Sequence, residues 1–216
     1  MKNENPAPER LSQELMEITT LFDEQDFTIG EFVERLQGRV YILVLVFFSL
    51  PFCQPIALPG LSMPFGLVLA LFGLRFALRR EPWLPKWVLK IKIPRKIFAR
   101  ILRAGAWLLR GLEKLLHPRM TRIFNYRSTQ FISGMVIFIC GVLLLLPLPI
   151  PLTNNFPAIA ILLIAASLSE RDGLGLIAGG IAFLITLAFF GLLLVVGVEA
   201  VYWLQSHFGG PFKSPD

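Results

Sequence analysis

Histidine and cysteine are nearly missing from this chain of 216 residues, which holds two of each. His117 and His207 have no Cys or carboxylate partner at metal-ligand spacing, so neither a metal nor any other cofactor is expected. Cys53 and Cys140 both fall inside apolar runs, where a thiol behaves as a small buried hydrophobe rather than as half of a disulfide. There is no Gly-x-Ser-x-Gly, no phosphate-cradling Gly-rich loop with Lys and no His-Glu-x-x-His. The residues therefore give no positive reason to expect an enzyme. The polar start, "MKNENPAPERLSQ", lacks an apolar core with a small-residue cleavage site, and no secretory signal is expected.

Charge is scarce too. Asp, Glu, Lys and Arg make up 17% of the chain, hydrophobic residues 55%, and mean hydropathy is +0.64. A water-soluble domain of this length rarely reaches such values, so a multi-pass, all-α integral membrane protein is expected.

The few charges are unevenly placed. Residues 1–38 carry nine acids against Lys2, Arg10 and Arg35, a local charge of −6. Residues 75–127 carry fifteen Lys and Arg against Glu81 and Glu113, a local +13. So basic a linker belongs in the cytoplasm by the positive-inside rule, and the N-terminus with it. The acidic segment either lies against that linker or stands alone as a solvated helical hairpin. Its apolar residues recur at helical spacing (Leu11, Leu15, Ile18, Leu21, Phe22), and "TIGE" reads as a capping box of Thr28 and Glu31.

Within the basic linker, Lys96, Arg100, Arg103, Trp107, Arg110, Lys114 and His117 follow one another at intervals of three and four, which makes them one helical stripe. A spanning helix would bury several cations, each costing roughly 2.5–3.5 kcal/mol at mid-bilayer. An amphipathic helix lying in the interface avoids that cost, its long side chains reaching anionic lipid headgroups. Nucleic acid is the rival partner for a basic stripe, and the apolar flanks argue against it.

Proline interrupts the apolar runs twice, in "LPFCQPIALPGLSMP" (50–64) and "LPLPIPLTNNFP" (146–157). Pro64 matches Pro157 at an offset of 93, and Pro59 matches Pro151 at 92, which reads as an internal repeat. No apolar arm but the last reaches the roughly 30 Å of a hydrocarbon core, and the prolines forbid a smooth helix through each break. Two readings stand. Each repeat is a re-entrant helical hairpin turning near the midplane, or it is a pair of short, thin-membrane spans joined by an ordinary polar loop. Under the first, Thr153, Asn154 and Asn155, with Gln54 and Ser62 opposite, form a polar substrate or ion path. Glu170, Arg171 and Asp172 would then sit at a cytoplasmic mouth, or equally form a solvated loop. Arg75 is a second mouth candidate, or it snorkels to the interface.

The expected organisation is an acidic helical segment (1–38), a first hairpin (39–80), a basic interfacial linker (81–127), a second hairpin (128–172), a long transmembrane helix (173–206) and a polar tail (207–216). In the long helix, "GLIAG" (175–179) suits close packing, inside the monomer or across a homodimer.

"FTIGEFVERL", the "LP…P…LPG" break, "RREPWLP" and "PLPIPLTNNFPA" ending in "ERDG" together resemble the ExoD family of bacterial membrane proteins, from about Leu11 to Leu204. The resemblance implies the bacterial inner membrane and a link to exopolysaccharide synthesis, and supplies no catalytic residue. Expected functions are then a small transporter or channel for an ion or solute, or a non-transporting accessory bound to exopolysaccharide synthesis machinery. An enzyme using the "ERD" carboxylates on lipid-linked sugars is a third reading.

Overall fold

The computed structural model describes residues 40–53, 60, 62–81, 116–146, 150 and 152–199, the backbone of 200–208, and positions 13, 27, 28, 30, 31, 34, 90, 92, 93, 107, 110 and 111. Five helices dominate: α1 (Val40–Ser49), α2 (Ser62–Ala77), α3 (Arg127–Leu144), α4 (Asn155–Glu170) and α5 (Gly173–Phe208). A two-residue antiparallel pairing, β1 (Phe27–Thr28) with β2 (Lys92–Ile93), joins the acidic segment to the basic linker. That small departure from an all-helical chain puts the two oppositely charged segments in contact.

Proline decides where the helices start and stop. Pro51 has no amide to continue the α1 ladder, and the chain tightens into a 3-10 turn over Leu50–Cys53. Pro64 and Pro157 each sit in the first turn of a helix, where the missing N–H would have had no partner. Both helices are 16 residues long, and each is followed by an arginine in the left-handed region, Arg79 (φ 54°) and Arg171 (φ 51°).

The four shorter helices form a ring, with α1 and α3 each packed against both α2 and α4. Their shared interior is largely apolar: Leu45, Leu69, Ile137, Cys140, Leu144 and Ile161 are all 0% exposed. At one end, the open end, Tyr41 Oη donates to the Arg80 carbonyl. Gln130 Nε2 donates to Phe76 O at 3.2 Å, and Gly173 N to Arg119 O at 2.7 Å. The outer termini of both hairpins therefore meet at one end, and the turns lie together at the other.

The α2–α3 seam is built backbone to backbone. Gly66, Ala70, Gly73 and Ala77 recur at intervals of 4, 3 and 4, facing Gly134, Ile137, Gly141 and Leu144 in antiparallel register. A Cβ at Gly134 would lie 2.5 Å from Ala77 N, and one at Gly141 would lie 2.5 Å from Ala70 N. Small residues at such spacing let two helices approach closely without a large side chain between them.

Helix α5 packs antiparallel on α4. Gly175 faces Ser167, Gly179 faces Ile164, and the Phe156 and Phe189 rings meet at a tilt with centroids 4.8 Å apart. The "GLIAG" step is thus used inside the monomer. Among the described residues, two helices, α3 and the Gly173–Glu199 part of α5, are long and apolar enough to cross a membrane.

Three carbonyls around the C-terminus of α2 are taken up by side chains: Arg80 O by Tyr41, Phe76 O by Gln130, and Glu81 O by Arg75. Removing Tyr41 Oη and Gln130 Nε2 together (Tyr41→Phe with Gln130→Leu) should cost about 2 kcal/mol, since each lost hydrogen bond is worth about 1 kcal/mol. Thermal unfolding in detergent micelles measures it.

Candidate functional site

Two groups of residues stand out, one at each end of the ring. At the turns, Ser62 (5% exposed), Thr153 (2%) and Asn155 (9%) are buried. Ser62 and Asn155 each begin the second helix of their own hairpin. Leu152 takes a left-handed conformation (φ 71°), and its carbonyl receives the amides of Asn155 at 3.0 Å and Phe156 at 3.4 Å. Thr153 Oγ1 donates to Ile150 O at 2.8 Å. Asn154 precedes α4 without a side-chain capping bond, and its own carbonyl accepts from Ala158 N at 3.2 Å. Gln54 lies outside the described residues.

Four of the buried hydroxyls serve nearby backbone. Ser49 donates to Val46 O, Ser167 to Leu163 O and Thr186 to Ala182 O, the same three- or four-residue reach that Thr153 makes. A hydroxyl bonded in this way has its proton committed to the carbonyl and presents only lone pairs elsewhere. Between the turns and the open end stands the apolar interior of the ring.

At the open end, Asp172 is 4% exposed and fully engaged. Its Oδ1 accepts from Leu174 N at 3.0 Å, capping α5, and its Oδ2 accepts from His117 N at 3.2 Å. Arg171 ends α4 and is exposed. Glu170 is half-buried, with Ser169 Oγ donating to its Oε1 at 3.5 Å. Arg75 is half-buried and fastens through Nε (3.0 Å) and Nη2 (2.9 Å) to Glu81 O. The structure thus draws Asp172 to the loop before α3, and Arg75 to the backbone just beyond α2.

Three contributors to this end were not foreseen: Tyr41, Gln130 and the segment His117–Arg119. A hydroxyl-bearing aromatic at the start of an apolar run was the available signal for Tyr41, because Tyr favours the membrane–water boundary. Nothing local marks Gln130 or the 117–119 backbone.

On the basic stripe, Trp107 is 76% exposed and Arg110 is exposed, while Lys96, Arg100, Arg103 and Lys114 lie outside the described residues. The capping box is present: Thr28 N donates to Glu31 Oε2 at 3.2 Å and Glu31 N to Thr28 Oγ1 at 3.3 Å.

Comparison with known proteins places this arrangement in a family context. Residues 11–192 match the family model described as "Exopolysaccharide synthesis, ExoD". The chain is 36% identical over 183 residues to Protein ExoD of Rhizobium meliloti, covering 84% of this chain and 75% of that one. It is 30% identical over 219 residues to an uncharacterized protein of Synechocystis sp., covering 93% of this chain and 99% of that one. No solved structure matches.

Proposed function

The chain belongs to the ExoD family, and from that premise we propose that it is a membrane-embedded, non-conducting component of exopolysaccharide synthesis. One observation supports this reading: among the described residues, the ring interior is filled largely by apolar side chains from all four short helices. In a bilayer such a ring is an anchor and a scaffold. The open end, flanked by Arg79, Arg80, Arg127 and Arg171, faces the cytoplasm of a bacterial inner membrane under the positive-inside rule. The acidic segment and the basic linker, paired through β1 and β2, lie on that same side against anionic headgroups or synthesis partners. Equal lengths, first-turn prolines and left-handed terminal arginines in α2 and α4 support an internal duplication with both hairpins pointing the same way.

A second reading rests on the polar cluster at the turns. Burial of Ser62, Thr153 and Asn155 at one end favours a conduit for an ion or small solute in which these groups, with Asn154, line the path. Proteoliposome flux of protons, small ions and sugars separates the two. The scaffold predicts flux no greater than from empty vesicles, with polymer production in cells lost on deletion of residues 1–38 while the helical core stays folded. Flux that Asn154→Ala or Asn155→Ala abolishes would replace the scaffold with the conduit.

A further inference from the structure

The helices of this chain do not fit one flat bilayer. Helices α2 and α4, of 16 residues, rise about 24 Å, the Val40–Cys53 run of 14 residues about 20 Å, and α3 with 18 residues about 27 Å. The Val40–Cys53 run, α2 and α4 fall well short of a hydrocarbon core roughly 30 Å thick, while α3, long enough to cross, nearly matches it. The apolar part of α5, Gly173–Glu199 with 27 residues, rises about 40 Å. Phe189 meets Phe156 at the level where α4 begins, so residues 190–199 run on beyond the start of α4 by about 15 Å. Leu192 and Leu194 there are 62% and 70% exposed.

The turns themselves are the second observation. Leu146, Ile150 and Leu152 are non-helical and 39–45% exposed. Ile150 O and Leu152 O are bonded within the turn, yet lipid-exposed irregular backbone of this kind does not occur inside the hydrocarbon core. This turn therefore needs water or a covering protein, although it stands only about 24–27 Å from the open end along α4 and α3.

Resting on the membrane-embedded reading above, we propose that the hairpin ring thins the bilayer beside it, bringing far-side water down to the turns by about 3–6 Å, the shortfall of the 27 Å and 24 Å helices against a 30 Å core. The ring presents a lipid-facing surface matched to short acyl chains. Helix α5 flanks it with an apolar length suited to a full-thickness bilayer, which α5 fits by tilting. Both surfaces occur on one small chain, so the lipid around it is forced to change thickness from one side of the molecule to the other.

The test uses the full chain in vesicles of monounsaturated phosphatidylcholine with 14-, 18- or 22-carbon chains. Thermal unfolding of the unmodified protein should be highest in 14-carbon lipid and fall stepwise to 22. In a Cys53→Ala, Cys140→Ala background, Ile150→Cys and Leu152→Cys should react with a membrane-impermeant maleimide from the face opposite to Arg79→Cys. Leu184→Cys, 63% exposed on α5, should not react from either face. Stability rising with chain length would overturn the proposal. So would turn cysteines silent from both faces, whether because the hairpins stop in mid-membrane or because a second copy covers them. A protein that washes off the vesicles at high pH would overturn the embedded reading itself and thinning with it; one that stays embedded with silent turns would overturn thinning alone.

Discussion

Gly134→Leu is expected to leave almost no folded protein. A Cβ at this position would sit 2.5 Å from Ala77 N and 2.6 Å from Ala77 Cα and Cβ. Those neighbours are backbone and a methyl group, so no rotamer change can make room. Even Gly134→Ala should cost about 3 kcal/mol, the upper part of the range for overpacking a well-filled interior. Gly141→Ala should behave alike, since its Cβ would meet Ala70 N at 2.5 Å. The matched control is Gly180→Ala on α5, where an added Cβ meets nothing within 4 Å. It should be neutral or stabilising by about 0.5–1 kcal/mol, the helix-propensity difference between the two residues. Thermal unfolding and size-exclusion profiles in micelles read all four variants. A Gly134→Leu protein that melts like the parent would mean that α2 and α3 do not meet along this seam.

Asp172→Ala carries the second large effect. The buried carboxylate holds the Leu174 and His117 amides together, tying the start of α5 to the chain that leads into α3. Deleting it removes two part-buried hydrogen bonds, at about 1 kcal/mol each; about 2 kcal/mol in all is expected. Asp172→Asn keeps one acceptor oxygen and should lose roughly half as much. Because the contact also positions residues 117–119, trypsin should cut faster after Arg119 and Arg122 in the alanine variant. Unchanged cleavage and an unchanged melting temperature would show that the carboxylate is dispensable.

Much of this was legible along the chain. Helices that are apolar on every side announce themselves through composition, as does their need for an apolar surrounding. Pro51, Pro64 and Pro157 mark boundaries because a missing amide and a locked φ act within one turn, whatever the fold. The Thr28–Glu31 box and the use of Gly175 and Gly179 in close packing were readable for the same reason: each depends on residues at most four apart. The family resemblance, carried by ordered short motifs, was legible as well.

The candidate polar residues were a different matter. Thr153 was singled out as a hydroxyl in an apolar setting, yet its proton goes to Ile150 O, three residues back. Asp172 was read beside its neighbours Glu170 and Arg171, and its partners include a backbone amide 55 positions away. Sequence spacing shows that a polar group is present; only the approach of another segment shows how it is satisfied.

The amino-acid order alone determined the chain's apolar class, the extents of its interrupted arms and the imbalance between its acidic and basic segments, because hydropathy, proline geometry and charge belong to individual residues. The tertiary structure decided that Tyr41 and Gln130 fasten the end of α2, that Gly134 and Gly141 sit against Ala77 and Ala70, and that an aspartate became a buried clasp. Those outcomes depend on how closely two backbones approach across dozens of intervening residues, and close packing selects that distance through all its neighbours at once.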